Sequence, residues 1–311
     1  MRILITGGLG YIGGRLSQYF QEQGVQEIIV GSRKRRDEIN NTLIYKFVET
    51  NWGSKIELQK ICKGVDTIIH LAGMNRQESN IDPQAAFSFN TLATANLLNS
   101  AINQGVKRFI YFSTAHVYGN PLKGIICEKT LPTSFDPYAT SNRAAEDFIR
   151  SAIHRKEIDG CVIRLSNSFG APVNKDTNCW SLVINDLCRQ VVTTHTMTLK
   201  TSGVQRRDFI TLTDVCRATD HLVNLESINN CVFNIGGNWS PRILDLAHII
   251  QKRSLKILGF KPEIYIEASR PEKTYNLEYR TDLLYQTGFV NLSDINFEID
   301  KLLVFCKINF T

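Results

Sequence analysis

The first half of the chain alternates short, uninterrupted apolar runs with stretches whose apolar residues recur at helical spacing. The runs predict buried parallel strands, because a strand covered on both faces needs no polar alternation. They lie at 2–6, 27–30, 43–48, 65–70 and 106–112. The helical stretches between them include 56–62 and 83–104. Strands that alternate with helices imply right-handed crossovers, so we predict an α/β fold built on a doubly wound parallel sheet.

From about residue 160 this alternation becomes irregular. Further strands and helices are predicted at 161–166, 180–190, 196–200, 213–225, 231–235, 242–257, 281–287 and 294–306. The sequence contains no internal repeat and no Pro- or Ser-rich linker. We therefore expect a nucleotide-binding domain over 1–165, to which about 205–240 return, and a smaller, non-contiguous substrate-binding lobe formed mainly by 166–311.

A glycine-rich turn separates the first predicted strand from the helix that follows it. Such a turn lets the backbone approach a pyrophosphate closely, and the start of a helix offers unpaired N–H groups and a favourable dipole to that anion. A strand, a glycine turn and a helix in succession are typical of Rossmann-like dinucleotide-binding domains. The residues predicted to hold the cofactor here are Gly7, Gly10, Tyr11, Ile12 and Gly13.

The second predicted strand ends in a basic segment. NAD-binding domains of this fold usually carry an acidic residue there, which holds the adenosine ribose hydroxyls. Residues 31–36 read Gly-Ser-Arg-Lys-Arg-Arg instead. Guanidinium groups pair well with phosphate, so Arg33 favours NADP(H), with NAD(H) as the less favoured cofactor. A solvated surface charge run is the other interpretation of this segment.

Composition excludes several classes of function. Of the 311 residues, 43% are hydrophobic and 21% are charged, which is ordinary for a globular protein. The net charge of +6 is spread along the chain, so we expect no nucleic-acid partner. No apolar run approaches the ~20 residues that span a bilayer, and the first strand leaves no room for a signal peptide. The eight cysteines form no C-x-x-C pair, so reduced thiols, no metal site and a cytoplasmic location are expected.

The G-x-x-G-x-x-G spacing of the glycine turn resembles the short-chain dehydrogenase/reductase superfamily. Later motifs narrow the resemblance to its extended branch, the nucleotide-sugar-modifying members of the NAD-dependent epimerase/dehydratase family. Residues 70–73, His-Leu-Ala-Gly, are similar to the family's H-x-A-[AG] turn under the cofactor. This similarity assigns Leu71 and Ala72 to the cofactor site and leaves His70 a structural role. The resemblance covers essentially the whole chain.

Residues 113–119 and 138–146 resemble the two catalytic segments of this family. The first is similar to S-[ST]-x-x-V-Y-G and places Thr114 at the catalytic Ser/Thr position, where a hydroxyl can hydrogen-bond a substrate oxygen as its charge changes. The second is similar to Y-x-x-S-K-x-A-x-E and implies Tyr138 as the acid/base. It departs from the family pattern at one position, because Asn142 stands where the family has lysine.

The missing lysine has a consequence for Tyr138. A free tyrosine has a pKa near ~10, and in the family the lysine lowers this pKa and binds the nicotinamide ribose. Asn142 can donate a hydrogen bond to that ribose but carries no charge, and Arg143 points about 100° away along the helix. Reduction of a carbonyl needs protonated tyrosine and oxidation of an alcohol needs tyrosinate. We therefore expect a ketoreductase or a slow enzyme rather than an efficient dehydrogenase.

Three further segments resemble the substrate site of nucleotide-sugar members of the family. Residues 164–170 resemble R-x-x-N-x-x-G, 205–215 resemble R-D-[FY]-[IV] followed by D-V, and 269–272 resemble R-P-G-D. The residues that this resemblance assigns to the substrate diphosphate are Asn167, Arg207 and Arg270. Planar guanidinium forks suit that role. We interpret Asp208 as an internal ion-pair partner of Arg207.

Together the motifs predict an NADP(H)-dependent oxidoreductase that acts on a nucleotide-sugar and reduces a 4-keto sugar nucleotide. In this reaction Tyr138 is the proton donor and Thr114 orients the carbonyl. Sugar 4,6-dehydratases of the family carry Asp-Glu directly after the threonine, whereas this chain has Ala115 and His116, so we do not expect dehydration. A nucleotide-sugar 4-epimerase and a catalytically weakened cofactor-binding sensor or interaction protein remain as alternatives. By analogy with extended members, we expect a homodimer formed through the helices around 83–104 and 137–155.

Overall fold

A computed structural model shows an α/β protein and describes residues 1–33, 45–267 and 273–311. The described residues form thirteen strands and eleven α-helices. The strands are β1 (Arg2–Thr6), β2 (Glu27–Ser32), β3 (Lys46–Glu49), β4 (Thr67–His70), β5 (Arg108–Thr114), β6 (Gly124–Ile126), β7 (Asp159–Leu165), β8 (Asn167–Phe169), β9 (Thr196–Leu199), β10 (Phe209–Thr211), β11 (Val232–Ile235), β12 (Glu263–Ile266) and β13 (Leu277–Tyr279). The helices are α1 (Tyr11–Glu22), α2 (Lys55–Cys62), α3 (Arg76–Ile81), α4 (Pro83–Ala86), α5 (Thr94–Asn103), α6 (Pro137–His154), α7 (Val183–Thr194), α8 (Leu212–Asn224), α9 (Ile243–Leu258), α10 (Asp282–Tyr285) and α11 (Ile295–Phe310).

Seven of the strands form one parallel sheet in the order β11-β7-β5-β4-β1-β2-β3. This arrangement confirms the predicted doubly wound α/β fold. The central strands β1, β4 and β5 are buried along almost their whole length, as their apolar sequences require. Their carboxyl ends meet at one edge of the sheet, which is where open parallel sheets bind ligands.

The chain divides into two compact units. The first consists of 1–120, 131–165 and 219–233, and the second of 121–130, 166–218 and 234–311. The segment that returns to the first unit is thus shorter than the 205–240 expected from the sequence. Residues 121–130 belong to the second unit because β6 pairs in parallel with β13, an association that sequence periodicity does not reveal.

Each unit has its own hydrophobic core. The first core packs one face of the sheet against α2, α5 and α6 and includes Leu4, Leu58, Ile68, Leu97, Phe109 and Ile149. The second core packs α7, α9 and α11 around β9 and includes Leu187, Val191, Met197, Leu246, Ile250 and Leu302. No helix in the described ranges has both the length and the apolarity needed to cross a bilayer.

The long helix predicted over 83–104 is not a regular α-helix. It consists of α4, a π-helical segment at Phe87–Ala93 and α5. The π-helical segment directs polar side chains at α6: Asn90 Nδ2 donates to Ser141 Oγ at 3.0 Å, and Thr91 Oγ1 donates to the Ser141 carbonyl at 2.8 Å. Such single turns of π-helix occur frequently at functional sites, and this one fixes the position of α6.

Candidate active site

The glycine turn forms a cradle at the start of α1. Gly7 has φ +68°, in the left-handed region that glycine adopts without strain. A Cβ on Gly13 would collide with the Gly7 carbonyl oxygen, and a Cβ on Gly10 would lie 3.1 Å from the same atom. Gly10 is also the N-cap of α1 and has no side chain with which to cap the first N–H groups of the helix. The cradle therefore fits the pyrophosphate of a dinucleotide, whose oxygens would accept hydrogen bonds from these N–H groups.

The predicted 71–72 turn lies directly against this cradle. The Leu71 N–H donates to the Thr6 carbonyl at 3.2 Å, at the end of β1. A Cβ on Gly7 would lie 2.9 Å from the Ala72 nitrogen and 3.0 Å from the Leu71 carbonyl carbon. The structure thus brings together the two segments predicted to hold the cofactor, 7–13 and 71–72, although 57 residues separate them in the sequence.

His70 is held inside the sheet between two threonines. Its Nε2 lies 2.8 Å from Thr94 Oγ1, and Thr94 Oγ1 itself donates to the Asn90 carbonyl at 2.7 Å. Thr94 must therefore accept from Nε2–H, so that Nδ1 accepts from Thr6 Oγ1 at 2.6 Å. Burial lowers the pKa of His70 to about 3. The imidazole is neutral and fully engaged, as expected of a structural histidine.

Arg33 follows the end of β2 and is exposed. Its guanidinium carbon lies 5.4 Å from the centroid of the Phe89 ring, which places the cation over the aromatic face. Phe89 in turn packs edge-on against Trp52, with ring centroids 5.5 Å apart. Lys34, Arg35 and Arg36 of the basic segment lie outside the described residues. Arg33 is therefore positioned by an aromatic contact at the edge where the strands end.

Thr114 and Tyr138, the predicted catalytic pair, are brought together by the fold. Thr114 ends β5, and Tyr138 lies in the first turn of α6. Their side chains lie close enough for the Thr114 hydroxyl to lower the pKa of Tyr138. Asp136 is the N-cap of α6, and its Oδ1 accepts from the Tyr138 N–H at 3.0 Å. Pro137 follows at the first helical position, a combination that starts a helix at a defined residue.

The pKa of Tyr138 is raised from its usual value of 10.0. Burial is the largest cause, because it disfavours the charged phenolate. The Thr114 hydroxyl opposes this rise in the pKa, the charge of Asp136 reinforces it and the charge of Arg76 opposes it. At neutral pH the phenol is therefore protonated.

Asn142 is buried one helical turn after Tyr138. Its Oδ1 accepts from the Tyr111 hydroxyl at 2.8 Å, and its Nδ2 donates to the Tyr138 carbonyl at 2.7 Å. These two contacts fix the orientation of the amide. An amide nitrogen carries two hydrogens, so one N–H of Asn142 remains for the expected contact with a ribose.

A buried ion pair supports α6 from behind. Glu146 is fully buried and accepts from Arg164 Nη2 at 2.6 Å and from Ser113 Oγ at 2.6 Å. The Arg164 guanidinium also lies 4.8 Å from the centroid of the Tyr118 ring. Glu146 and Arg164 both match motif positions in the sequence, but the motifs did not predict a role for either residue. Their pairing ties α6 to β7 and to the end of β5 that carries Thr114.

Arg76 is a second residue that sequence analysis missed. It begins α3, and its Nε donates to Asp136 Oδ2 at 2.7 Å. Its position, 60 residues before Asp136 along the chain, gave no signal of this contact.

Two of the three predicted substrate residues lie close together in the second unit. Asn167 begins β8, which pairs in parallel with β10, and its Nδ2 donates to the Asp208 carbonyl at 2.9 Å. Arg207 directly precedes Asp208 and is exposed. Arg270 lies outside the described residues.

The interpretation of Asp208 as an ion-pair partner of Arg207 is wrong. Asp208 is fully buried and accepts from the Gly237 and Trp239 N–H groups at 3.0 and 3.1 Å. Among the ion pairs of the described residues, none includes Asp208. Burial raises its pKa to about 7. The 236–239 loop folds onto the Asp208 carboxylate, so backbone N–H groups of this loop take the place expected for the Arg207 guanidinium.

The chain matches one protein family and is similar to several nucleotide-sugar-modifying proteins. The profile of the "NAD dependent epimerase/dehydratase family" matches residues 3–236. The chain is 27% identical over 302 residues to a dTDP-D-glucose 4,6-dehydratase of Mus musculus, covering 93% of this chain and 83% of that protein. It is 26% identical over 280 residues to a putative UDP-glucose 4-epimerase of Methanocaldococcus jannaschii, covering 88% of each. The solved structure of MoeE5 in complex with UDP-glucose and NAD has the same fold, with a TM-score of 0.84, 20% identity and full coverage of both chains.

Proposed function

The chain belongs to the NAD-dependent epimerase/dehydratase family of extended short-chain dehydrogenase/reductase enzymes, and we propose that it reduces a 4-keto sugar nucleotide with NADP(H). The observation that carries this proposal is that Thr114 and Tyr138 lie side by side and interact, with the neutral Asn142 in place of a lysine. Acid/base catalysis at a carbonyl needs a proton donor at this place. A tyrosine whose pKa is raised supplies one.

The proposed reduction uses the glycine cradle, Thr114 and Tyr138, which all belong to the first unit. The glycine cradle would hold the dinucleotide pyrophosphate, and the bound dinucleotide would supply the hydride for the carbonyl carbon. Thr114 donates a hydrogen bond to the carbonyl oxygen, and Tyr138 gives that oxygen a proton to complete the alcohol. Tyr138 then takes a proton back from solvent. Without a cationic lysine beside it, the phenol stays protonated and suits reduction better than alcohol oxidation.

Arg33 supports NADP(H) as the cofactor of this chain. A guanidinium at the end of β2 can pair with a 2′-phosphate, which NADP(H) carries and NAD(H) lacks. The contact with Phe89 restricts the arginine to the edge where this phosphate would lie. The MoeE5 structure contains NAD, so the preference proposed here rests on Arg33 and its contact.

A nucleotide-sugar is the substrate class that the family membership supports. Asn167, Arg207 and Arg270 are the residues that we propose to hold its diphosphate, by resemblance to the family motifs. The murine relative is a 4,6-dehydratase by name, yet Ala115 and His116 occupy the positions where dehydratases of this family carry Asp-Glu. We therefore propose reduction and not dehydration.

A nucleotide-sugar 4-epimerase is the second candidate function, because the archaeal relative bears that name. Epimerisation needs an oxidation and a reduction at the same carbon, with the cofactor retained between them. The oxidation step needs tyrosinate, which the raised pKa of Tyr138 disfavours.

We also propose a homodimer formed by helices of the first unit. Phe87, Leu92 and Phe148 are each about half exposed on the π-helical segment and α6, at 46%, 47% and 49%. Apolar residues exposed on adjacent helices suit an interface. Light scattering after size-exclusion chromatography tests this, and a monomeric mass at micromolar concentration contradicts it.

The function is tested with purified protein in two stages. The nucleotide released on denaturation is identified first, and the stripped protein is then titrated with NADPH and NADH. Reduction of 4-keto sugar nucleotides is followed by loss of NADPH absorbance, with Tyr138→Phe as the matched variant. Exchangeable NADPH and a Tyr138-dependent reduction support the reductase. Tightly retained NAD⁺ and interconversion of 4-epimers without added cofactor would support the epimerase instead, and binding with neither reaction would support the sensor.

A further inference from the structure

One carboxylate at the start of α6 joins two structural elements beside Tyr138. Oδ1 of Asp136 accepts from the Tyr138 N–H at 3.0 Å, and Oδ2 accepts from Arg76 Nε at 2.7 Å. The carboxylate is mostly buried, with 13% of the side chain exposed, whereas the arginine side chain is 39% exposed. Solvent therefore screens the Asp136 charge only in part.

We propose that Arg76 is a positioning residue of the active site, which holds and neutralises Asp136 so that the capping charge of α6 does not act uncompensated on the Tyr138 phenol. This inference rests on the proposed role of Tyr138 as the acid/base. Arg76 begins α3, where Asn75 and Glu78 form a capping box that fixes the first turn of that helix. The guanidinium is therefore held from a rigid position.

The two charges of this pair act on Tyr138 in opposite directions. The Asp136 carboxylate raises the pKa of Tyr138, because it repels the phenolate, and the Arg76 guanidinium lowers it. The carboxylate has the larger of the two effects. Arg76 therefore reduces the rise in the pKa of Tyr138 that the Asp136 charge causes. Its effect is smaller than that of Asp136, so it does not replace the lysine that the family pattern has at position 142.

Other charged groups near α6 have partners of their own. Glu146 pairs with Arg164 of β7, and the Tyr111 hydroxyl of β5 donates a hydrogen bond to Asn142. The ionisable groups on the elements packed against α6, and on α6 itself, are Arg76, Glu78, Asp82, Arg108, Tyr111, His116, Tyr118, Arg143, Glu146, Asp147, Arg150, His154, Asp159, Cys161 and Arg164. Of these, Arg76 is the one whose charge lowers the pKa of Tyr138.

The consequence depends on the direction of the reaction. Alcohol oxidation needs the phenolate, so the loss of Arg76 slows oxidation more than reduction. Ketone reduction starts from the protonated phenol and is affected much less.

The test measures the ionisation of Tyr138 directly in the full-length protein. Tyrosine labelled with ¹³C at Cζ is incorporated, and the Tyr138 resonance is assigned by its absence in Tyr138→Phe. The pH titration is then repeated in Arg76→Gln, in Asp136→Asn, which retains a good N-cap, and in Arg76→Lys, which retains the charge. Far-UV circular dichroism defines the pH range in which each variant stays folded.

We expect the Tyr138 midpoint to rise in Arg76→Gln, to fall in Asp136→Asn and to stay near the parent value in Arg76→Lys. Opposite shifts are the signature of charge, because a loosened helix start would move the midpoint in the same direction in both variants. Equal or absent shifts in Arg76→Gln and Asp136→Asn overturn the inference. This readout needs no substrate, so it is separable from the proposed reaction: if Tyr138→Phe leaves reduction intact, the proposed function fails whatever the titration shows.

Discussion

Replacing Glu146 by glutamine removes the negative half of the ion pair that supports α6. Glu146 is fully buried and Arg164 is 2% exposed, so the substitution leaves a buried guanidinium without its counter-charge. The carboxylate accepts from Arg164 Nε at 3.0 Å and Nη2 at 2.6 Å and from Ser113 Oγ at 2.6 Å. A glutamine amide has one oxygen for these donors and presents its own N–H groups to others.

Breaking a buried ion pair by removing one partner costs about 3–5 kcal/mol. A typical domain is stable by about 5–15 kcal/mol, so the expected loss is a large fraction of the total. For a domain of roughly 150–250 residues each kcal/mol moves Tm by about 2–4 °C, which gives a decrease of about 6–20 °C. The assay is thermal and urea denaturation of the full chain, followed by far-UV circular dichroism.

Two variants control this experiment. Asp147→Asn removes the next carboxylate of α6, which is 55% exposed, and should change Tm very little. Glu146→Leu combined with Arg164→Met removes both charges and should recover at least half of the loss, because an apolar pair of similar volume is tolerated in a core. If Glu146→Gln lowers Tm no more than Asp147→Asn, the assignment of Glu146 and Arg164 as a stabilising buried ion pair is refuted.

Three further predictions concern the cofactor edge, the acid/base and the sheet. Asn142→Lys should lower the pKa of Tyr138 and shift the rate of alcohol oxidation to lower pH; an unchanged pH–rate profile would show that the charge at this position does not act on the phenol. Arg33→Gln should weaken NADPH binding about 10-fold or more and leave NADH binding unchanged, as expected for the loss of an arginine–phosphate pair of roughly 1.5–3 kcal/mol. Phe89→Leu should weaken NADPH binding to a smaller degree and only when Arg33 is present; equilibrium titrations of both cofactors decide this, and equal effects on both would contradict a phosphate contact. The pKa of His70 is about 3 in the folded protein, against an ordinary value of 6.5. The neutral imidazole therefore contributes stability that is fully present above pH 6.5 and is lost as the pH falls towards 3. Urea midpoints over this range should fall less steeply in His70→Gln, and parallel slopes would contradict the assignment.

Local sequence was sufficient for the fold class and for the cofactor cradle. The apolar runs predict buried parallel strands, and the glycine spacing predicts a turn that approaches an anion. Both properties depend on residues that are adjacent in the chain, because backbone conformation and steric access are set locally at Gly7 and Gly13. The motif around Tyr138 likewise predicted that a helix starts there, since Asp136 and Pro137 are local start signals.

Tertiary structure decided which side chains meet. The contact of Arg76 with Asp136, the amide orientation that Tyr111 imposes on Asn142 and the backbone donors of Asp208 all join residues far apart in the chain. Periodicity and spacing describe one element at a time and carry no record of such pairings. The pKa of the proposed acid/base depends on burial and on charges contributed by other elements, so the sequence predicted Tyr138 for this role and the tertiary structure determined the charge state of its phenol.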